Sequence, residues 1–188
     1  MKEEINVYFQ RLQRVIDGLD VSEIERAVVA IKEAYEREAT IYIFGNGGSA
    51  ATASHYACDF NKGISEKKEK KFHVMCLNDN VPELTAIAND IGYEEVYRFQ
   101  LRGTLKADDL VIAISGSGNS KNIINAVKYA NEIGCDVIGI TGYDGGILRQ
   151  MADYKMHVNV EDMQLAEDVH MVFDHMMYVV LSKYLSEK

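Results

Sequence analysis

Three short segments rich in glycine and serine stand out for the chemistry they suit. SGSGNS (115–120) places Ser115, Ser117, Asn119 and Ser120 within six positions, with Gly116 between the first two. Glycine lets backbone amides approach a ligand closely and adopt positive φ, while hydroxyls add donors, so the segment suits an anion such as a phosphate. GNGGS (45–49), with Asn46, Gly47 and Ser49, and TGYDGG (141–146) share that character. For GNGGS alone, a tight strand–helix connection explains the glycines equally well; the donor density of SGSGNS favours phosphate. None of the three follows G-x-G-x-x-G or G-x-x-x-x-G-K-[ST], so a small phosphorylated molecule fits better than a dinucleotide or ATP.

Ionisable residues form a second constellation. His55 and Asp59 lie four apart after GNGGS and share one helical face. Glu167, His170 and His175 occur in AEDVHMVFDHMMYVV, a stretch otherwise striped with apolar residues. Imidazole and carboxylate serve as acid/base groups or as ligands of a borderline divalent ion. A single histidine on an apolar stripe is more often packed in a core, and that reading suits His170 best. Glu167 and His175 are eight residues apart, about 12 Å along a straight helix and about 80° around it. Two such side chains meet only if the helix breaks or two subunits contribute, which points to a site at a subunit interface.

The elements that must position these groups are legible from periodicity. Residues 3–19 and 22–37 read as helices, the second with Ser22 as N-cap and Glu25 three residues on. TIYIF (40–44), FHVMCL (72–77), LVIAIS (110–115) and DVIGIT (136–141) read as buried strands, and YKMHVNV (154–160) as a weaker fifth. NIINAVKYANEIG (122–134) and residues 162–184 are helical. Strands alternating with helices imply a three-layer αβα sandwich around a parallel sheet of about five strands. In such a sheet ligands bind beyond the carboxyl ends of the strands, where the glycine segments fall. SEKKEKK (65–71) reads as a solvated loop, with a lysine leaning over a substrate phosphate as the sharper alternative.

Composition excludes several classes. A net charge of −9 argues against a nucleic-acid-binding surface. It does not disfavour an anionic ligand, because amides at a helix start bind phosphate whatever the global charge. Cys58, Cys76 and Cys135 have no CxxC spacing and suit a reducing compartment. The first residues carry acidic groups and no unbroken apolar run, so neither a signal peptide nor a membrane span is expected, and the cytoplasm is.

With these residues assembled, the chain resembles the sugar-isomerase (SIS) domain family, and within it the phosphoheptose isomerases. GNGGSAATASHYACDF (45–60), LTAIANDIGYEEVY (84–97), ISGSGNS (114–120), ITGYDGG (140–146) and AEDVHMVFDH (166–175) carry the likeness, in that order. The resemblance implies one SIS domain over 1–188, with residues 1–38 as a helical pair used in oligomerisation. It implies a ketose–aldose isomerisation of sedoheptulose 7-phosphate through an enediol, in a homotetramer with sites between subunits and, in some members, zinc. Ser115, Ser117 and Ser120 match the family's phosphate-binding serines, and Asn46 and Ser49 its first glycine loop. Asn89 and Asp90 match an NDxGY element facing the sugar. Asp59 and His175 match catalytic groups, and His55, Asp59, Glu167 and His175 are the expected metal ligands. Departures are visible: Asp59 stands where the family has glutamate, Glu167 where it has glutamine, and the connection before the last helix is shorter. They leave two alternatives open, a non-catalytic regulatory protein of the replication-initiator-binding kind and an isomerase of another phosphosugar.

Overall fold

Strands that are apolar on both sides need cover on both faces, and helices provide it. The computed structural model describes residues 1–186. Strands β1 (Thr40–Gly45), β2 (His73–Cys76), β3 (Leu110–Ser115), β4 (Asp136–Thr141) and β5 (Tyr154–His157) form one parallel sheet in the order β2-β1-β3-β4-β5. Register places Gly45 opposite Ile114 and Ser115 opposite Thr141, so the three glycine-rich turns leave the sheet at one level. The chain builds outward from β1 in one direction to β2, then from β3 in the other. The β1/β3 boundary is therefore the topological switch point, where an open parallel sheet leaves a crevice.

Alternate residues of each strand feed different cores. Ile41 and Ile43 of β1 and Ile112 of β3 pack with Ile31, Ala53 and Phe173, from helices α2 (Val21–Glu36), α3 (Gly48–Cys58) and α8 (Met163–Ser186). Tyr42 and Phe44, with Val111 and Ala113, face α4 (Val81–Asp90), α5 (Val96–Leu101), α6 (Lys121–Ile133) and α7 (Gly146–Met151). The result is the three-layer αβα architecture that the strand–helix alternation predicts. Helix α6 stops at Gly134, whose φ of 79° is the left-handed C-cap that glycine adopts without strain.

Several boundaries differ from the periodicity. The N-cap of α2 is Asp20 rather than Ser22: its carboxylate accepts from the amides of Ser22 and Glu23 at 3.0 and 3.1 Å. Strand β5 covers only Tyr154–His157. The SEKKEKK segment is a loop, but its lysines do not lean toward the glycine turns. Lys70 donates to the carbonyl of Glu36 at 2.6 Å and lies 3.4 Å from Glu38, at the amino end of β1. Within the chain this sets Lys70 away from the glycine turns, which lie at the opposite ends of the strands.

The two N-terminal helices are not equivalent. Helix α2 buries Ile24, Ala27, Ile31 and Ala34, whereas α1 (Lys2–Asp17) buries no residue. It is held to α8 by Tyr8, which donates to Asp168 at 2.7 Å, and to the residue just before α8 by Arg11, which donates to Asp162 at 2.7 Å. Among the described residues no helix is long and apolar enough to cross a membrane.

Candidate active site

The serine turn is laced into the neighbouring glycine turn. Ser115 is buried, and its Oγ accepts the amide of Gly118 at 3.2 Å; Ser117 Oγ accepts that of Asn119 at 3.3 Å. Asn119 accepts from the Ile147 amide at 3.2 Å, and the Gly142 amide donates to the Gly116 carbonyl at 2.9 Å. Gly118 has φ of 65°, and a Cβ there would stand 2.0 Å from the Gly145 carbonyl oxygen, so no other residue fits. Ser120 occupies the N-cap of α6 and makes no capping bond of its own. A helix start whose N-cap hydroxyl makes no capping bond is a ready anion cradle. A cleft of about 380 Å³ opens beside it, lined by Ser117, Asn119, Tyr143, Asp144, Glu161 and Met163.

The first glycine turn is held by a polar hub. Asn46 Oδ1 accepts from Tyr93 at 2.9 Å, Tyr97 at 3.0 Å and Asn122 at 2.8 Å, and its Nδ2 donates to Asn122 at 2.9 Å. Asn122 belongs to α6, so the hub ties the turn after β1 to the helix after β3. With its polar atoms so engaged, Asn46 positions the turn. Ser49 is buried in the first turn of α3, which starts just after Gly47 (φ of 56°). In the NDxGY element, Tyr93 is the residue that reaches the hub; Asn89 and Asp90 are exposed and bond to each other at 2.8 Å.

Helix α3 ends at an ionisable cluster. Its axis continues through a π-helical segment, Asp59–Ile64, a widened turn of a kind that often re-aims functional side chains. Gly63 brings this segment against α8: a Cβ there would fall 2.4 Å from the Tyr178 ring. One ligand atom from each of His55, Asp59, Asp174 and His175 lies within 4.8 Å of the others. The His55 and His175 Nε2 atoms are 3.4 Å apart, and His55 Nε2 is 3.6 Å from Oδ2 of both Asp59 and Asp174. Two ligands on one tetrahedral ion, each at 2.0–2.1 Å, are about 3.3–3.4 Å apart, so the donor set fits a divalent metal without thiolate.

Burial sets two proton affinities nearby. Asp174 is fully buried, and desolvation, with Asp59 beside it, pushes its carboxyl up to about 7. His170, one turn earlier on the same buried stripe, is pushed down to about 4 by burial and stays neutral. It is a core histidine.

Glu167 is not in this group. Helix α8 is continuous and runs beside α3 in the same direction, pairing Glu167 with Gly48 and His175 with His55. A Cβ on Gly48 would meet Glu167 Oε2 at 2.6 Å, so that carboxylate stands over the start of α3. The eight-residue separation, about 12 Å on an unbroken helix, keeps it from His175. All four clustered donors come from one chain, so the cluster itself does not need a second subunit. Residue typing missed Asp174, although an acidic residue on an apolar stripe is a recognisable signal. It also missed the hub partners Tyr93, Tyr97 and Asn122, which reveal themselves only through tertiary contact.

Residues 7–142 match the SIS domain family. The chain is 33% identical to the phosphoheptose isomerase of Aliarcobacter butzleri over 184 residues, covering 98% of this chain and 96% of that protein. It is 31% identical to the phosphoheptose isomerase of Helicobacter pylori over 188 residues, covering 100% and 97%. The structure of phosphoheptose isomerase GmhA from Neisseria gonorrhoeae superposes with a TM-score of 0.89 at 29% identity, over 97% of this chain and 98% of that one.

Proposed function

The chain belongs to the SIS domain family, and from that membership we propose that it is a sugar-phosphate isomerase converting sedoheptulose 7-phosphate to a heptose 7-phosphate. One observation carries the proposal: α3 starts in the first glycine turn, at the crevice shared with the serine turn, and carries His55 in its last turn before ending at Cys58, with Asp59 the next residue. A single short helix thus joins an anion-binding end to a proton-moving end, as an extended phosphosugar requires.

The phosphate would rest on the hydroxyls of Ser117 and Ser120 and on those amides of the 116–120 turn not already given to Ser115 and Ser117, where the α6 start adds partial positive charge. Ser115 acts beneath them by fixing Gly118. At the other end, an aldose–ketose exchange removes a proton from the carbon beside the carbonyl and returns one to the former carbonyl carbon. The hydroxyl and carbonyl oxygens exchange a proton through the enediol, so no atoms are gained or lost. Asp59 faces His55 through Oδ2, leaving its second oxygen to take the carbon-bound proton. His175 stands across the cluster to exchange the oxygen-bound one. A divalent ion, zinc by donor chemistry, would be held by His55, Asp59 and His175, and when bound it supplies polarisation of the sugar carbonyl.

The exposed apolar side chains of α1, with Ile5 and Phe9, support assembly into a homotetramer that covers the open side of the cluster. Free Cys58, Cys76 and Cys135 support a cytoplasmic setting. The test is direct: incubate the protein with sedoheptulose 7-phosphate, with and without a divalent metal, and assay the aldose product. Binding of the phosphosugar with no product under either condition would replace the enzyme with a regulatory binding protein.

A further inference from the structure

Asp174 has no exposed surface, and neither of its carboxyl oxygens meets a hydrogen-bond donor. A buried carboxyl left in that state is costly to ionise. What faces it makes matters worse: the Asp59 carboxylate, and imidazole nitrogens of His55 and His175, all within the same 4.8 Å cluster. Lone pairs from four side chains converge on one volume. Among the described residues, no Lys or Arg forms an ion pair with either aspartate; His55 is the partner of both. Meanwhile the carboxylate of Glu167 lies over Gly48, at the other end of α3.

We infer that Asp174 is the fourth ligand of the divalent ion held by His55, Asp59 and His175, and that Glu167 is not a ligand. The inference rests on the metal-assisted reading of the site given above. It makes the set two imidazoles and two carboxylates, drawn from the end of α3 and from adjacent residues of α8. An ion in the cluster would pair the buried carboxyl, whose oxygens the folded chain otherwise leaves without a donor. Glu167 is then left to the N-terminus of α3, where a negative group is favoured by the helix dipole. Gly48 leaves that carboxylate room, since a Cβ there would displace the end of the Glu167 side chain.

The experiment measures zinc affinity by competition with a chromophoric chelator for the parent protein, Asp174→Asn and Glu167→Gln. Changes to residues that merely support ligands lower metal affinity by about tenfold to a hundredfold, so loss of a ligand in Asp174→Asn should reach a hundredfold or more. Glu167→Gln should stay near the parent. A second readout turns the loss into a gain: cobalt-loaded Asp174→Cys should show thiolate-to-cobalt charge-transfer absorption that parent protein and Glu167→Cys lack. Parent-like zinc affinity in Asp174→Asn, or a thiolate band in Glu167→Cys and none in Asp174→Cys, overturns the assignment. A parent protein that binds neither zinc nor cobalt overturns it together with the metal-assisted reading. Turnover of the phosphosugar by that same metal-free protein would leave the isomerase standing.

Discussion

His170 and Asp174 sit one turn apart on the buried stripe of α8, and burial moves their proton affinities in opposite directions. The Asp174 carboxyl rises from 3.8 to about 7, so between those values the folded chain holds a proton that the unfolded chain has released. That linkage makes stability grow as pH falls. The His170 imidazole drops from 6.5 to about 4, so in that window the unfolded chain holds the extra proton and stability declines as pH falls. The two slopes oppose each other between about pH 4.5 and 6.5, each worth up to about 1.4 kcal/mol per pH unit. In chelator, Asp174→Asn should lose stability with acid relative to the parent, and His170→Gln should gain it. Urea unfolding at three pH values checks this; parallel pH profiles for all three proteins would refute it.

Zinc content should depend on both facing imidazoles. The His55 and His175 Nε2 atoms, 3.4 Å apart, are spaced as two ligands of one ion. Protein purified without chelator should carry metal, and His55→Ala and His175→Ala should each lose most of it by elemental analysis. Equal metal in all three would place the ion elsewhere.

In the serine turn, the hydroxyls have different duties. Ser115 is committed to Gly118 inside the protein, whereas Ser120 makes no cap bond and is free for ligand. Ser120→Ala should weaken phosphosugar binding by about 1.5–3 kcal/mol, the worth of a hydrogen bond to a charged group. That is about tenfold to a hundredfold in KM or in inhibition by inorganic phosphate. Ser115→Ala should instead lower thermal stability modestly, because the Gly118 amide loses the Ser115 hydroxyl and keeps only the Ser115 carbonyl as acceptor. Unchanged affinity in Ser120→Ala would remove the phosphate from this turn.

Much of this was legible in the residues. Contiguous apolar runs ending in glycine gave β1, β3 and β4 because buried parallel strands need apolar side chains on both faces. The ligand-bearing end followed from where the glycines fell. The short edge strands were blurred, since β2 and β5 keep only four residues each in the ladder. Side-chain direction was not legible. Glu167 shares a residue type with the clustered carboxylates, yet the unbroken α8 carries it to Gly48, and only the packing of α8 against α3 reveals that Asp174 turns inward instead. Asn46 looked like a ligand group, and the tertiary fold spends its amide on Tyr93, Tyr97 and Asn122.

Assembly should run through α1. Ile5 and Phe9 are 50% and 62% exposed on a helix that has no fully buried residue and packs only Leu12, Val15 and Ile16 partly against the core. Burying such side chains contributes about 1.5–3 kcal/mol each, multiplied by the symmetry of the oligomer. Light scattering should give an oligomer for the parent at micromolar concentration, and Phe9→Asp with Ile5→Asp should shift it to smaller species. A monomeric parent would contradict assembly through α1.

Asp59 provides the sharpest test of the proton-moving end. Asp59→Asn keeps the shape and removes the base, so kcat should fall by about a hundredfold to ten-thousandfold while KM changes little. Asp59→Glu restores the side chain that the family resemblance leads one to expect, and a simple homology argument would have it improve turnover. The packing says otherwise. Asp59 Oδ2 is already 3.6 Å from His55 Nε2, and the buried carboxyl of Asp174 occupies the far side of the cluster. One more methylene would drive the carboxylate past the position from which it reaches the substrate carbon, and a misplacement of about 1 Å can cost a hundredfold. Steady-state kinetics on both variants should therefore show two losses, with Asp59→Glu the lesser. Faster turnover in Asp59→Glu than in the parent would mean that the short side chain is a compromise and that Asp174 leaves room the geometry does not show.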